Sequence, residues 1–315
     1  LDSRLILCKL VEKKYHNIIA YSYGPVGNSD SKIAKYVCKK LNVQWEHIVP
    51  NKEVYKKFFK NKNVISCFNF SDGLSTLPNF QEFIPVWELS KKYKKTKDYL
   101  IVNGQTGDFI TGGHIPEKLF LKNAKFDNLI DEILKDHFSL WKNKVNNERF
   151  NILVKNLIIK IQSQFNGNNE ITNLADLYEI WEYKERQVKF IVQGQRIYDY
   201  FGFDWYLPFW DGDFVRFWSK IPLEFRKNKS LYNQFLNSWN VNGLFRDYKP
   251  TRKACDGFPY NLITFWLMGM KIIFGEKIRN RVSKYFDYYS RYGKHYHVFD
   301  KIEFLKQRHN FRNPI

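Results

Sequence analysis

The chain has 315 residues, of which 44% are hydrophobic and 18% aromatic, enough apolar material for a packed core, which excludes an intrinsically disordered chain. Its formal net charge of +19 comes mostly from lysines spread along the whole sequence, so no nucleic-acid surface is expected, although the positive field would favour an anionic small molecule such as a nucleotide. No apolar run reaches the length of a membrane-spanning helix, and no basic start followed by a short apolar core marks a secretory signal.

In chain order, the first element is a helix within Leu5 to Lys14, with Leu5, Ile6, Leu7, Leu10 and Val11 forming its apolar stripe. HNIIAYSYG, from His16 to Gly24, reads as a buried strand closed by a glycine turn. Ser29 or Asp30 is expected to cap SKIAKYVCKKLN, where Ile33, Ala34, Val37 and Leu41 share one helical face. VQWEHIV (Val43 to Val49) is a second strand, NKEVYKKFFKN a short helix, and FSDGLSTLPN a loop. An apolar helix runs from about Phe80 to Tyr93, and DYLIVNG (Asp98 to Gly104) is a third strand. Helices alternating with short apolar strands predict an α/β fold, a parallel sheet with helices on both faces. Cys8, Cys38, Cys67 and Cys255 fit neither a CxxC pair nor a zinc pattern, which predicts reduced, mostly buried thiols in a cytoplasmic protein.

Ligands of such sheets bind at the carboxyl ends of the strands. The third strand ends in NGQTGDFITGGH, Asn103 to His114, the most informative stretch of the chain. Gly104, Gly107, Gly112 and Gly113 permit tight turns and close approach of backbone to a ligand. Asp108 lies among them, and a carboxylate held there suits Mg2+ bridging phosphates. The plain alternative is a turn in which Asp108 is only a cap. No GK[ST] follows, so this is not a Walker A loop, and no GxGxxG opens a helix.

Four stretches in order resemble the synthetase domain of the asparagine synthetase family, within the PP-loop ATP pyrophosphatases. LDSR at the start of the chain resembles the tail of the family's SGGxDS turn. NGQTGDFITGGH resembles its SGEGADELFGGY, LPFWD (Leu207 to Asp211) its VPFLD, and RKACDG (Arg252 to Gly257) its lysine shortly before Asp-Gly. The resemblance covers nearly the whole chain. It implies a PP-loop fold over residues 1–120, with residues 121–315 a mostly helical part packed over the cleft. It implies an ATP-dependent ligase that adenylates a carboxylate, releases pyrophosphate and forms an amide with an amine or ammonia.

By the same resemblance the cofactors are ATP and Mg2+. Asp2 and Asp108 are the expected metal ligands, and Ser3 contacts pyrophosphate at the amide-rich end of a helix. Gly104, Gln105 and Gly107 would line the α-phosphate wall. Tyr23 and Gly24 begin the adenine pocket. Asp108 and Lys253 are the expected catalytic residues, the lysine neutralising developing charge, with Arg252 one residue away. The resemblance also places a strand and Ser-Gly-Gly just upstream of Leu1. It leaves room for a glutaminase domain there, or for a separate glutaminase subunit. A chain starting at Leu1 is accordingly expected to be poorly stable and inactive by itself.

Two departures argue against asparagine synthetase proper. Gln105 stands where that family has glutamate, and an amide cannot act as a general base. Phe109 stands where a second acid would be. Related β-lactam synthetases lack those acids too, so a different acceptor or nucleophile is expected. The alternatives are an RNA-modifying PP-loop enzyme, which the charge favours, and a non-catalytic nucleotide-binding relative.

The second half reads as helical from about Phe126 to Ile161 and from Leu174 to Tyr200, with NGNN (Asn166 to Asn169) as a turn. Glu182, Lys184, Glu185 and Arg186 are expected on a solvated face, with Glu185 and Arg196 lining the cleft as the alternative. Asp211 is expected to cap the following helix. His295 and His297 in the aromatic tail have no third partner nearby, and no metal site is expected there.

Overall fold

In a computed structural model of the protein, residues 1–24, 26–49, 53, 62–71, 80–138, 147–164, 173–246, 258–283 and 302 are described. The sequence begins directly in helix α1 (Asp2–Glu12), which buries Arg4, Leu5 and Cys8. Strand β1 (Ile19–Tyr23) follows, then α2 (Ser29–Leu41) and β2 (Gln44–Ile48). The cap of α2 is Asn28, not Ser29 or Asp30: its side-chain oxygen accepts from the Ser31 amide at 2.7 Å. A cap must sit one residue outside the helix so that its oxygen can turn back to the first free amides, and the helix already includes Ser29. Val37, Cys38 and Leu41 point inward at helical spacing, and Asn42, in the left-handed region at φ 53°, ends the helix.

Helices α3 (Lys62–Phe70) and α4 (Phe80–Lys92) lead to strand β3 (Leu100–Val102) and the one-turn helix α5 (Gly107–Ile110). The helical second half comprises α6 (Phe126–Phe138), α7 (Glu148–Ser163), α8 (Leu174–Glu182) and α9 (Arg196–Tyr200). A short strand β4 (Asp204–Tyr206) precedes α10 (Gly212–Ser219), α11 (Leu223–Arg226), α12 (Ser230–Trp239) and α13 (Phe258–Ser283). Asp211 caps α10 as expected, accepting from the Asp213 amide at 2.9 Å. The segments NKEVYKKFFKN and FSDGLSTLPN lie mostly, and NGNN, RKACDG with Arg252, Lys253 and Cys255, and the tail with His295 and His297 lie wholly, outside the described residues.

The fold combines helices with parallel strands, and helices dominate. The described strands form two parallel pairs instead of one sheet. β1 pairs with β2 from Ile19–Gln44 to Tyr23–Ile48, and β3 pairs with β4 from Leu100–Asp204 to Val102–Tyr206. The partner of β3 thus comes from a three-residue segment too short to carry a period of its own. Both pairs rest on one apolar cluster. Tyr21 and Ile48 from the first pair, with Ile101 and Trp205 from the second, pack on buried Val64, Phe83, Ile84, Val86, Leu89, Ile197 and Phe203. A second cluster joins α1, α2, α5, α10 and α12 through Leu5, Val37, Phe109, Trp218 and Tyr232. The third ties α6, α7 and α8 through Leu129, Ile133, Val154, Ile158 and Trp181. Each fully buried side chain of this size contributes about 1.5–3 kcal/mol.

The stretch Leu174 to Tyr200 is helical throughout but changes pitch. After α8 the backbone runs as a π-helix from Tyr183 to Val192, then a 3-10 turn at Gln193–Gln195, then α9. The wider turn brings residues four and five apart onto one face. Glu185 keeps the expected solvated face, ion-paired with Lys189 at the surface, but Glu182 departs from it. Glu182 is buried and accepts from Arg186 Nη1 at 2.7 Å and from Gln187 Nε2 at 3.0 Å. Cys8, Cys38 and Cys67 are buried free thiols, and burial pushes each up to about 11, so none is a reactive thiolate near neutral pH. No helix among the described residues is long and apolar enough to cross a membrane.

Candidate active site

The loop after β3 presses against the first turn of α1. A Cβ on Gly104 would lie 2.5 Å from the Ser3 amide nitrogen and 2.9 Å from the Asp2 carbonyl carbon. A Cβ on Gly107 would lie 2.7 Å from Asp2 Cγ. Any side chain at either position would drive the two segments apart. Two glycines spaced three apart therefore let the Asp2-Ser3 backbone and the Asp108 loop close on one another. Gly112, at φ 87°, abuts the Arg226 carbonyl in the same way.

The closeness shows electrostatically. Asp2 is raised above the ordinary carboxylate range by burial and then by the negative charge of Asp108. Its Oδ1 accepts from Tyr232 Oη at 2.8 Å. Burial also works against the Asp108 carboxylate, but the Lys229 ammonium bonded to its Oδ1 outweighs that and holds the pKa low. Two residues before Asp108, Thr106 adopts a left-handed backbone at φ 72°, a conformation that a β-branched residue pays for. Its hydroxyl is buried with no protein partner.

The structure therefore brings together Asp2, Ser3, Gly104, Gln105, Gly107 and Asp108. Tyr23 and Gly24 sit at the end of β1, where the Gly24 amide donates to the Ile48 carbonyl at 3.1 Å. Glu82 links them to the loop: its Oε1 accepts from Tyr23 Oη at 3.5 Å and from Gln105 Nε2 at 3.0 Å. Lys253 lies outside the described residues. Phe109, at the position of the missing second acid, is buried in the core with Leu5 and Val37.

Gln105 is held at both ends. Its Oε1 accepts from Gln195 Nε2 at 2.6 Å, and Gln195 Oε1 accepts from Asn103 Nδ2 at 2.6 Å. Glu82 Oε2 accepts from Tyr198 Oη at 2.9 Å, and Tyr198 lies 3.3 Å from Tyr21 Oη. This buried chain joins β1, α4, the glycine loop and α9. A glutamate inside the apolar helix FQEFIPVWE gave no sign of it in sequence, since one polar position in a helix is ordinarily its wet side.

Glu82 is raised by burial, against which the hydrogen bonds from Tyr198, Tyr23 and Gln105 act. A carboxyl group raised on folding adds stability that is fully present below the ordinary Glu pKa and is lost as pH rises through the folded value. Glu82→Gln has the shape of the protonated form, and the tyrosine hydroxyls can turn to accept its new N–H. Urea midpoints of variant and wild type should therefore coincide in mild acid. They should separate in favour of the variant as pH rises, by at most about 1.4 kcal/mol per pH unit. A constant gap at all pH values would show that folding does not shift the Glu82 pKa.

On the other side of the loop, His114 Nδ1 meets Glu182 Oε1 at 2.5 Å, beside Arg186. Burial disfavours the Glu182 carboxylate, but hydrogen bonds from His114, Arg186 and Gln187 keep its pKa low. Arg186 is thereby committed to a buried carboxylate.

Two carboxylates brought close by Gly104 and Gly107 suit Mg2+ held also by phosphate oxygens and water, which needs only one or two protein carboxylates. They do not make an all-protein metal cage, and no group of three or more His, Cys, Asp or Glu able to hold a metal occurs among the described residues. No protein-family model and no curated protein matches this chain.

Proposed function

We propose that the protein is an asparagine-synthetase-like, ATP-dependent, AMP-forming carbon–nitrogen ligase of PP-loop type, acting on a small-molecule carboxylate and an amine or ammonia. The observation that carries this reading is the convergence of Asp2, from the first turn of α1, with Asp108, from the loop after β3. They meet across Gly104 and Gly107, whose missing side chains make the approach sterically feasible. Asp2 is raised by burial and then by the Asp108 charge beside it, costs that a bound cation would offset.

In the reaction so assigned, the substrate carboxylate oxygen attacks the α-phosphorus of ATP and pyrophosphate leaves. The amine nitrogen then attacks the acyl carbon and AMP leaves. Mg2+ held by Asp2 and Asp108 would supply charge neutralisation on the phosphates. The free amides at the start of α1, with Ser3, would receive pyrophosphate oxygens. The backbone at Gly104 and Gly107 would form the wall beside the α-phosphate. Gln105, locked by Glu82 and Gln195, positions the loop and takes no proton.

That locking, together with Phe109 in the core, favours a second reading: a nucleotide-binding relative without chemistry. Pyrophosphate release from ATP decides between them. In the full protein, with any residues that precede Leu1, release should appear with one member of a panel of carboxylates and amines and should disappear with EDTA. ATP binding without release for any pair would leave the second reading standing. Neither binding nor release would refute both.

A further inference from the structure

Helix α13 adds nothing to the three apolar clusters that hold the fold together, since none of its residues belongs to them. Large apolar side chains on it face outward instead. Leu262, Phe265, Trp266, Ile272 and Ile273 are all exposed, Phe265 by 80% and Ile272 by 83%. The helix runs unbroken to Phe274, after which Gly275, at φ 78° and ψ 172°, departs from helical geometry. At about 100° per residue, Leu262, Phe265, Trp266, Gly269, Ile272 and Ile273 share roughly one third of its circumference. Lys271, the only charged residue between Phe258 and Phe274, lies on the opposite side.

Gly269 stands at the centre of this seam. A Cβ there would meet nothing within 4 Å among the described residues. Their packing does not require a glycine, and a glycine in mid-helix costs stability. A bare backbone between large side chains does permit the close approach of a second helix.

The size and polarity of the seam select the partner. Fully bare side chains of this kind present roughly 150–250 Å² each, so at the observed exposures of 48% to 83% the seam offers about 600 Å². Two such faces bury more than about 1,000 Å², the extent of a specific protein interface. A lipid surface is a poorer match. A helix lying on anionic lipid carries lysine and arginine along its polar face, and this stretch has Lys271 alone. An uncharged seam matches another uncharged seam.

We propose that α13 is a self-association element, on which a second copy of the chain docks seam to seam, the two helices antiparallel and crossing at Gly269. A two-fold contact uses the same patch on both copies. Antiparallel crossing sets Phe265 of one copy opposite Ile273 of the other, and Trp266 opposite Ile272. Bulky rings then meet branched aliphatic chains, whereas a parallel crossing would set ring against ring. The inference is independent of the proposed function.

The test is sedimentation velocity on the full protein, as wild type, Gly269→Leu and Ile272→Glu. Wild type should dimerise at micromolar concentration. Added salt should tighten the dimer, because two copies of charge +19 repel and salt screens the repulsion. Each substitution should weaken it about tenfold or more. Gly269→Leu should still melt no lower than wild type where both are monomers, since leucine is the better helix former and has room. A wild type that stays monomeric, or a dimer indifferent to either substitution, would overturn the inference. So would a monomer that floats with phosphatidylserine vesicles, which would give the face to lipid.

Discussion

Asp2→Asn and Asp108→Asn should each lower ATP-dependent pyrophosphate release by roughly a hundred- to a thousandfold, the usual loss when one element of charge stabilisation is removed. The two substitutions should differ in what they do to the fold. Asp2 is raised by burial and by Asp108, so its charge costs stability in the empty protein. Neutralising it removes that repulsion, and Asp2→Asn should melt no lower than wild type. Asp108 is held low by Lys229, so its charge is compensated, and Asp108→Asn gives up an ion pair and should melt slightly lower. A change in activity accompanied by opposite changes in stability separates a functional carboxylate pair from a structural one. Equal activity in either variant would remove that aspartate from the site.

The second large effect concerns Arg226, a buried residue that holds the end of α11 to α8. Its Nη2 donates to Asp176 at 2.7 Å, its Nη1 to Glu179, and its Nε to the Ile221 carbonyl at 2.9 Å. Removing one partner of a buried ionic network leaves uncompensated charge and costs roughly 3–5 kcal/mol. Arg226→Ala should lower the unfolding free energy by about that much, measured by urea denaturation. It should also weaken ATP binding, because the Arg226 carbonyl is packed against Gly112 at the rim of the glycine loop. The exposed Arg216–Asp213 pair is the matched control, and Arg216→Ala should cost under about 1 kcal/mol. Similar losses in both variants would mean that burial does not govern the Arg226 contacts.

Which parts of this were legible in the sequence follows from range. The helical stripe of α1, the face of α2, the strands β1, β2 and β3, and the cap at Asp211 are local patterns, set by periodicity and by side chains a few residues away. The glycine loop was legible because Gly104, Gly107 and Asp108 sit together, and their meeting with Asp2 followed from the family resemblance. The partners of those carboxylates were not. Lys229 is 121 residues from Asp108 and Tyr232 is 230 from Asp2, and an ordinary lysine before a helix carries no mark of what it reaches. Glu182 reads as a surface charge because a run of charged residues is ordinarily a wet face. Glu182 is buried at the end of α8, where it meets Gln187 and His114, and neither partner is marked in the sequence. Glu82 was hidden the same way, as one acid among the apolar residues of α4.

The most direct test of the account is a double-substitution cycle read by electron paramagnetic resonance of Mn2+ titrated in the presence of ATP. If Asp2 and Asp108 hold one ion, either Asn substitution alone should release most of the bound Mn2+, and the double variant should lose little more. Undiminished Mn2+ binding in the double variant, or losses that simply add, would contradict a shared site and the ATP-dependent chemistry proposed for it.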